Sequence, residues 1–315
     1  MKVNPFLKIF QNDKYQNPYD YPLAGFPHIL DIEVTNICNL DCMMCSRSIM
    51  TRKRGMIDFD VFKKVIDEAA DFTAGIRFIR FGEPFLHKEI FRMIDYVKAK
   101  KLICHATTNG VLHTEESLKK IVDSGLDSII FSFQGTDKNE YELMRNNNQY
   151  DRLKENICYL HQYRDSCGSD TPFIQVSTSI LDEGERELEH FISQWSQIAD
   201  RVDYWYTSLV RVKHLPRVKK LLSRQTLHEK LNNSPCKEVM VKLSVNWNGD
   251  ITACCSDFNG ALVLGNVKDS SLKDIWLCKK LNMYREVLKR GERYKIPFCS
   301  LCFDDAQTRP DGKEL

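Results

Sequence analysis

Cys38-Asn39-Leu40-Asp41-Cys42-Met43-Met44-Cys45 places three thiols at C-x3-C-x2-C spacing, directly after an apolar run, His28 to Val34, that reads as a strand. Three thiolates on one short loop can hold three irons of a 4Fe–4S cube, because cysteine thiolate is the usual ligand of such clusters. The fourth iron then has no protein ligand, and an open position is what separates a reactive metal centre from a structural one. A zinc knuckle is the competing reading. It needs a fourth Cys or His close by, and none follows before His87.

The chain has 315 residues, room for one large domain with an appendage or for two domains. A hydrophobic content of 43% supports a proper core. The net charge of +2 gives no global field pointing to nucleic acid. No stretch approaches the length of a membrane-spanning helix. Met1 to Tyr21 lacks the apolar core of a secretory signal. Twelve cysteines would suit disulfides in a small secreted domain. In a large chain without an export signal, metal ligation in a reducing cytoplasm accounts for them better. They gather in the first loop and again after residue 235.

After Cys45, short β-rich runs alternate with amphipathic stretches. Strands are expected at His28–Val34, Ile76–Gly82, Ile103–Thr108, Ser128–Gly135, Phe173–Leu181 and Tyr204–Val210. Helices are expected at Asp58–Phe72, Lys88–Lys100, Glu115–Ser124, Tyr150–Arg164 and Glu185–Ala199. Alternation at this spacing implies parallel βα units. Six units make an α/β fold, a partial (βα)6 TIM barrel open on one side, with its site at the C-terminal ends of the strands. The expected organisation is an N-terminal segment 1–27, a barrel 28–210, a basic linker 211–234, a small C-terminal α+β iron–sulfur extension 235–305 and a tail 306–315. In the extension, Val241–Val245 and Ile251–Cys254 flank Asn248-Gly249, a strong hairpin signal. Ser271-Leu272-Lys273-Asp274 has capping-box form and opens a helix expected to run to about Arg290.

The cysteine loop after a first strand resembles the signature of the radical S-adenosylmethionine (radical SAM) enzymes. In that family the open iron chelates the amino and carboxylate groups of SAM's methionine. The reduced cluster cleaves SAM to a 5′-deoxyadenosyl radical, which takes a hydrogen atom from substrate. Met44 stands where the family usually has an aromatic residue, and a flexible thioether can fill the same space.

Further motifs carry the resemblance along the chain. Phe81-Gly82-Glu83-Pro84 closes the second strand and is similar to the family's Gly-Gly-Glu motif, with Gly82 and Glu83 matching. Glycine permits close backbone approach, and the acid can accept hydrogen bonds from an ammonium group. Thr107-Thr108-Asn109-Gly110 and Ser132-Phe133-Gln134-Gly135 resemble segments that line the SAM site. Asn109 and Ser132 are the candidates there, and Gln134, where the family often has Asp, is expected to face substrate. Arg145 matches an arginine that can pair with the SAM carboxylate. Taken without the resemblance, Asn109-Gly110 is an ordinary turn and Arg145 a solvated helix end.

Cys236, Cys254, Cys299 and Cys302 form the second set. Cys236 to Gly249 is C-x12-G and Gly249 to Cys254 is G-x4-C, similar to the SPASM extension that binds auxiliary clusters. A two-cluster arrangement would continue with a cysteine where this chain has Thr308. Four ligands hold one fully coordinated cube, an arrangement like that of small-molecule radical SAM dehydrogenases and epimerases. Structural zinc on four thiolates is the alternative.

Cys255 reads as a small buried residue or as a hydrogen-atom donor that inverts a substrate carbon. Cys104, Cys158, Cys167 and Cys278 read as small hydrophobes. Tyr204-Trp205-Tyr206 reads as core or as a substrate wall. The basic residues from Arg211 to Arg224 read as a solvated face or as a contact for an anionic substrate.

Together these features imply a cytoplasmic radical SAM enzyme with two 4Fe–4S clusters and SAM, oxidising or epimerising a sugar, amino sugar or nucleoside. The resemblance implies a flavodoxin- or ferredoxin-type electron donor, with no nucleic-acid or membrane partner. A peptide-modifying maturase is the alternative, against which 27 residues before the first strand are too few for a peptide-recognition domain. A SAM-binding iron–sulfur redox sensor is the non-enzymatic alternative.

Overall fold

The computed structural model describes residues 2–10, 25–225, 236 and 238–302. The tail expected at 306–315 and the linker residues 226–234 lie outside the described residues.

A short helix α1 (Pro5–Phe10) precedes β1 (Ile29–Ile32). Then follow α2 (Phe59–Ala69), β2 (Gly75–Phe78), α3 (Ile90–Ala99), β3 (Ile103–Thr108), α4 (Glu115–Asp123), β4 (Ser128–Ser132), α5 (Lys138–Arg145), α6 (Tyr150–Ser166), β5 (Phe173–Ile180), α7 (Glu185–Trp195) and β6 (Arg201–Tyr206). Local chemistry explains the elements. Asp58 caps α2 by accepting from the N–H groups of Asp60 and Val61. Its buried residues Phe62, Val65, Ile66 and Ala69 recur at helical spacing and face the sheet. All four residues of β1 are buried, as a parallel strand covered on both faces requires.

β1 to β6 pair in parallel in chain order. This is the mixed α/β partial barrel expected from the sequence. At the N-terminal edge of the strands, Phe6 and Ile9 of α1 pack on Ile29. Gly75 leaves the room, since a Cβ there would stand 2.6 Å from the Phe6 ring. The helix covers the end of the sheet opposite to the cysteine loop.

After β6 comes α8 (Lys219–Leu222), and the C-terminal extension then runs through α9 (Glu238–Val241), β7 (Lys242–Val245), β8 (Asp250–Thr252) and β9 (Val263–Asn266). It ends in α10 (Leu272–Trp276) and α11 (Lys279–Lys289). β7 pairs in parallel with β1, so the hairpin continues the barrel sheet into one of nine strands, ordered β6-β5-β4-β3-β2-β1-β7-β8-β9. The turn between β7 and β8 uses Gly249 at φ +90°, where glycine escapes the Cβ penalty.

Several elements depart from expectation. β6 starts at Arg201, three residues before Tyr204, and stops at Tyr206. The helix expected from Ser271 to about Arg290 is two, because Cys278 leaves helical geometry and its side chain accepts the Leu281 N–H as a cap. The helix α5 and the strand β9 are not among the expected elements.

Candidate active site

The Cys38–Cys45 loop follows β1 at the C-terminal edge of the sheet, and four neighbours fix it. The Met43 N–H donates to the Met144 carbonyl of α5 at 2.8 Å. Arg47, buried, donates to the Leu40 carbonyl. Arg217 donates to Asp41 Oδ2 at 2.6 Å and to the Cys42 carbonyl at 3.4 Å. Asn109 Nδ2 donates to Asn39 Oδ1 at 2.8 Å and lies 3.7 Å from Cys38 Sγ. A cavity of about 690 Å³ opens beside the loop, lined among others by Cys38, Asp41, Arg47, Arg54 and Arg217. Met44 is half-buried and packs against the core.

Gly82 passes so close to the chain leaving β1 that a Cβ there would stand 2.0 Å from the Thr35 carbonyl oxygen. The close approach lets the Glu83 N–H donate to the Ile37 carbonyl at 2.9 Å. The Glu83 side chain is then buried, 2% exposed, beneath the cysteine loop. Its Oε1 accepts from the Thr108 hydroxyl at 2.8 Å and the Phe85 N–H at 3.2 Å, and its Oε2 accepts from the Asn109 N–H at 2.8 Å. Among the described residues no cation forms an ion pair with it. Burial pushes its carboxyl up to about 7, against the opposing pull of those three donors. Gly110 follows at φ +75° and lets the chain turn away.

Arg145, at the end of α5, is buried rather than a solvated helix end. It reaches the loop, with Nη2 donating to the Phe133 carbonyl at 3.0 Å and Nη1 lying 3.7 Å from Cys42 Sγ. Its Nε has no partner among the described residues. The structure therefore brings Gly82, Glu83, Asn109 and Arg145 together with Cys38, Cys42 and Cys45. Ser132 ends β4 opposite Ser177, half-buried, and bonds to none of these among the described residues. Gln134 does not serve as expected: it is buried, and its Nε2 donates to the Ser179 carbonyl and to Thr207 Oγ1, tying together the ends of β5 and β6.

In the second set, Cys236, Cys254 and Cys299 pack at the edge of the main core, and Cys302 follows Cys299 across one short turn. The segment after Cys254 is clamped to the barrel. Arg211 donates to the Ser256 carbonyl, Arg80 Nη2 to the Asp257 carbonyl at 2.9 Å, and Arg52 Nε to the Phe258 carbonyl at 2.7 Å. The Thr51 N–H donates to Asn259 Oδ1 at 2.8 Å. Arg80 holds φ +133°, a region that L-residues rarely adopt, and its fully buried side chain lies 3.8 Å from Glu33. Arg293, also buried, places Nη1 3.0 Å from Cys302 Sγ. Cys255 Sγ lies 3.7 Å from both Lys242 Nζ and Glu238 Oε2. Lys242 in turn pairs with Asp31 and Glu238, and Asp31 with Arg77.

Burial pushes the thiols of Cys38 and Cys236 up to about 11 and raises that of Cys45, while the hydrogen bond with Cys255, and burial after it, raises that of Cys254. Iron reverses this, since a coordinating thiol is deprotonated outright. Among the described residues no three Cys, His, Asp or Glu side chains gather round a point suited to a single metal ion. Cys42 is buried and the other six candidate thiols are half-buried, and soft thiolate ligands of this kind suit an iron–sulfur cube. The uncompensated Glu83 carboxyl beside the first set suits an ammonium group.

The basic stretch from Arg211 to Arg224 is a solvated face only in part: Lys213, Lys219 and Lys220 are exposed, whereas the three arginines make tertiary contacts. Besides Arg211 and Arg217, Arg224 pairs with Glu140 and Asp182. Its arginines join the extension, the barrel and the cysteine loop. Reading charge alone missed this, because the acidic partners lie far away in sequence.

A family model of the radical SAM superfamily matches residues 32–191, and one of the SPASM iron–sulfur cluster-binding domain matches residues 236–303. The chain belongs to the radical SAM superfamily and carries a SPASM domain; its cofactors are a 4Fe–4S cluster, an auxiliary cluster and SAM. It is 25% identical over 313 residues to the tungsten-containing aldehyde ferredoxin oxidoreductase cofactor-modifying protein of Pyrococcus furiosus, covering 87% of this chain and 86% of that one. It is 24% identical over 285 residues to the S-adenosyl-L-methionine-dependent 2-deoxy-scyllo-inosamine dehydrogenase of Niallia circulans, covering 87% and 92%. Among solved structures it shares its fold with BtrN in complex with AdoMet and 2-DOIA, at TM-score 0.59 and 19% identity, covering 88% of this chain and 93% of that one. It also shares it with Streptococcus suis SuiB bound to S-adenosylmethionine, at TM-score 0.68 and 16% identity, covering 96% and 78%. No helix among the described residues is long and apolar enough to cross a membrane.

Proposed function

We propose that this radical SAM enzyme is a dehydrogenase acting on a carbinol or amine-bearing carbon of a small polar substrate, a sugar, amino sugar or nucleoside. The observation that carries this reading is the clamp on the segment after Cys254. Arg52, Arg80 and Arg211 bind three successive carbonyls, 256 to 258, and so hold the auxiliary thiol set against the barrel. A redox centre held there can accept an electron from substrate in the barrel. The relation to a 2-deoxy-scyllo-inosamine dehydrogenase supports the same substrate class.

In this reading Cys38, Cys42 and Cys45 hold three irons of the first cluster, and Cys236, Cys254, Cys299 and Cys302 hold the auxiliary one. Bound SAM and the reduced first cluster supply a 5′-deoxyadenosyl radical that takes a hydrogen atom from carbon. Glu83 receives the SAM ammonium, and Gly82 gives it room. Arg145 is placed for the SAM carboxylate. Asn109 orients Glu83 and the loop together, and Ser132 lines the SAM site from β4. An auxiliary centre held by Cys236, Cys254, Cys299 and Cys302 would supply an acceptor for one electron from substrate that has lost the hydrogen atom, with one proton passing to solvent, and the product would be a ketone or imine. A flavodoxin- or ferredoxin-type protein supplies the electron that starts the cycle.

Epimerisation is the second reading, favoured by one observation. Cys255 is half-buried, with Sγ 3.7 Å from both Lys242 Nζ and Glu238 Oε2, which are ion-paired to each other. From there it could return a hydrogen atom to carbon. The test is reduced, reconstituted enzyme assayed with SAM and a panel of aminocyclitols, sugars and nucleosides. The expected result is one 5′-deoxyadenosine per ketone or imine formed. Substrate inverted without oxidation overturns the dehydrogenase, and no 5′-deoxyadenosine under a strong reductant overturns the enzyme.

A further inference from the structure

We infer that Arg293 is a positioning residue that raises the reduction potential of the auxiliary iron–sulfur centre, through a charge-assisted hydrogen bond to the Cys302 sulfur. The centre's use as electron acceptor rests on the dehydrogenase reading above.

Arg293 opens a short turn, Arg293–Lys295, directly after α11, and is 4% exposed. Its Nη1 stands 3.0 Å from Cys302 Sγ, close for an N–H···S contact. A guanidinium cannot be deprotonated in a protein, so this is a permanent buried cation on a candidate ligand sulfur. Its charge also reaches Cys236, where it opposes the effect of burial and of Glu238. One guanidinium thus acts on two of the four candidate ligands.

The physical consequence follows from charge. One-electron reduction adds a negative charge to the centre. Hydrogen bonds to the sulfurs and net local charge are the protein's levers on cluster potential. A cation in a low-dielectric surround stabilises the reduced form more than it would in water. The neighbouring cations are differently placed. Arg80 and Arg211 give their donors to backbone carbonyls. Arg293 puts its donor on a ligand atom. The first cysteine set has a weaker counterpart, since Arg145 Nη1 lies 3.7 Å from Cys42 Sγ while its other amino group serves the Phe133 carbonyl.

The experiment is an anaerobic redox titration of the full-length reconstituted protein, followed by electron paramagnetic resonance. A Cys38/Cys42/Cys45→Ala background leaves the auxiliary signal alone. In Arg293→Gln the midpoint should fall by at least a tenfold change in the reduction equilibrium, about 59 mV for one electron. In Arg293→Lys, which keeps the charge without the planar fork, it should fall by less. An unchanged midpoint in Arg293→Gln with four irons bound overturns the inference. If that variant holds less iron, Arg293→Lys decides, and an unchanged midpoint there overturns it equally. Failure of the dehydrogenase reading would be separate, since it appears as inverted product while the midpoint shift remains.

Discussion

The Asn109 N–H donates to Glu83 Oε2 at 2.8 Å, joining the end of β3 to a buried carboxyl that follows β2. The same asparagine's side chain donates to Asn39 Oδ1 at 2.8 Å, in the middle of the cysteine loop. One residue therefore fixes the carboxyl and the thiol loop relative to each other. Displacing it moves both, so Asn109 is a positioning residue for two cofactor contacts at once.

Glu83 should make SAM binding depend on pH. Its carboxyl, ordinarily near 4.5, is raised to about 7 in the folded chain. The folded state therefore holds the proton more tightly than the unfolded state. Stability of the cofactor-free protein falls as pH rises from 4.5 towards 7, by on the order of 3 kcal/mol, and then levels. An arriving ammonium group favours the carboxylate, so binding releases a proton below pH 7 and affinity rises up to that point. Glu83→Gln should remove this dependence and weaken binding by about 1.5–3 kcal/mol, roughly ten- to hundredfold. Calorimetry in two buffers of different ionisation enthalpy measures both effects. A parent affinity that stays flat between pH 6 and 8 would contradict the assignment.

Gly82→Ala should be more damaging than a methyl group suggests. The new Cβ would meet the Thr35 carbonyl carbon and oxygen, at 2.7 and 2.0 Å, and neither is a flexible side-chain end. The β2 turn must shift away from the chain leaving β1, breaking the bond from Glu83 N–H to Ile37. Overpacking of this kind costs about 1–3 kcal/mol. Thermal unfolding should show the loss, and SAM affinity should fall with it. A variant of parental stability and affinity would show that the close approach is absent in solution.

Iron content tests both thiol sets. Anaerobic reconstitution should give about eight irons per chain, four for each cube. Replacing Cys38, Cys42 and Cys45 by Ala should halve that content and abolish SAM cleavage. Continued cleavage by the triple variant would sink the assignment of the reactive cluster.

Much of this was legible in the sequence because parallel strands and amphipathic helices write themselves locally. Ile103–Thr108 is a strand at its expected bounds, and α2 begins immediately after the Asp58 cap. The cysteine spacing and Gly82-Glu83 are equally local. What escaped were contacts between distant segments. Gln134 was free to face substrate only until β5 and β6 were seen to offer Ser179 and Thr207. Arg217 looked solvated until Asp41, 176 residues away, lay beside it. Nothing in the sequence around Arg293 anticipates a guanidinium laid on Cys302. The parallel pairing of β7 with β1 was invisible for the same reason: a hairpin signal specifies its own partner strand and not the sheet it joins.

The fate of the substrate radical rests on Cys255. After hydrogen abstraction the carbon must lose an electron or regain a hydrogen atom. If the auxiliary centre takes the electron, Cys255 is dispensable and the product is a ketone or imine. If Cys255 donates a hydrogen atom, the product is inverted and carries deuterium from heavy water, because thiol protons exchange with solvent. The thiol has a path for that exchange, since Glu238 Oε2 lies 3.7 Å away and its side chain is 39% exposed. The expected outcome is the first, because on the proposed reading the clamp on residues 256 to 258 would hold an electron acceptor against the barrel whether or not a thiol is present. Cys255→Ala should therefore turn over at the parental rate in heavy water, with no deuterium at carbon. Loss of product with SAM cleavage retained would reverse that order and make the enzyme an epimerase.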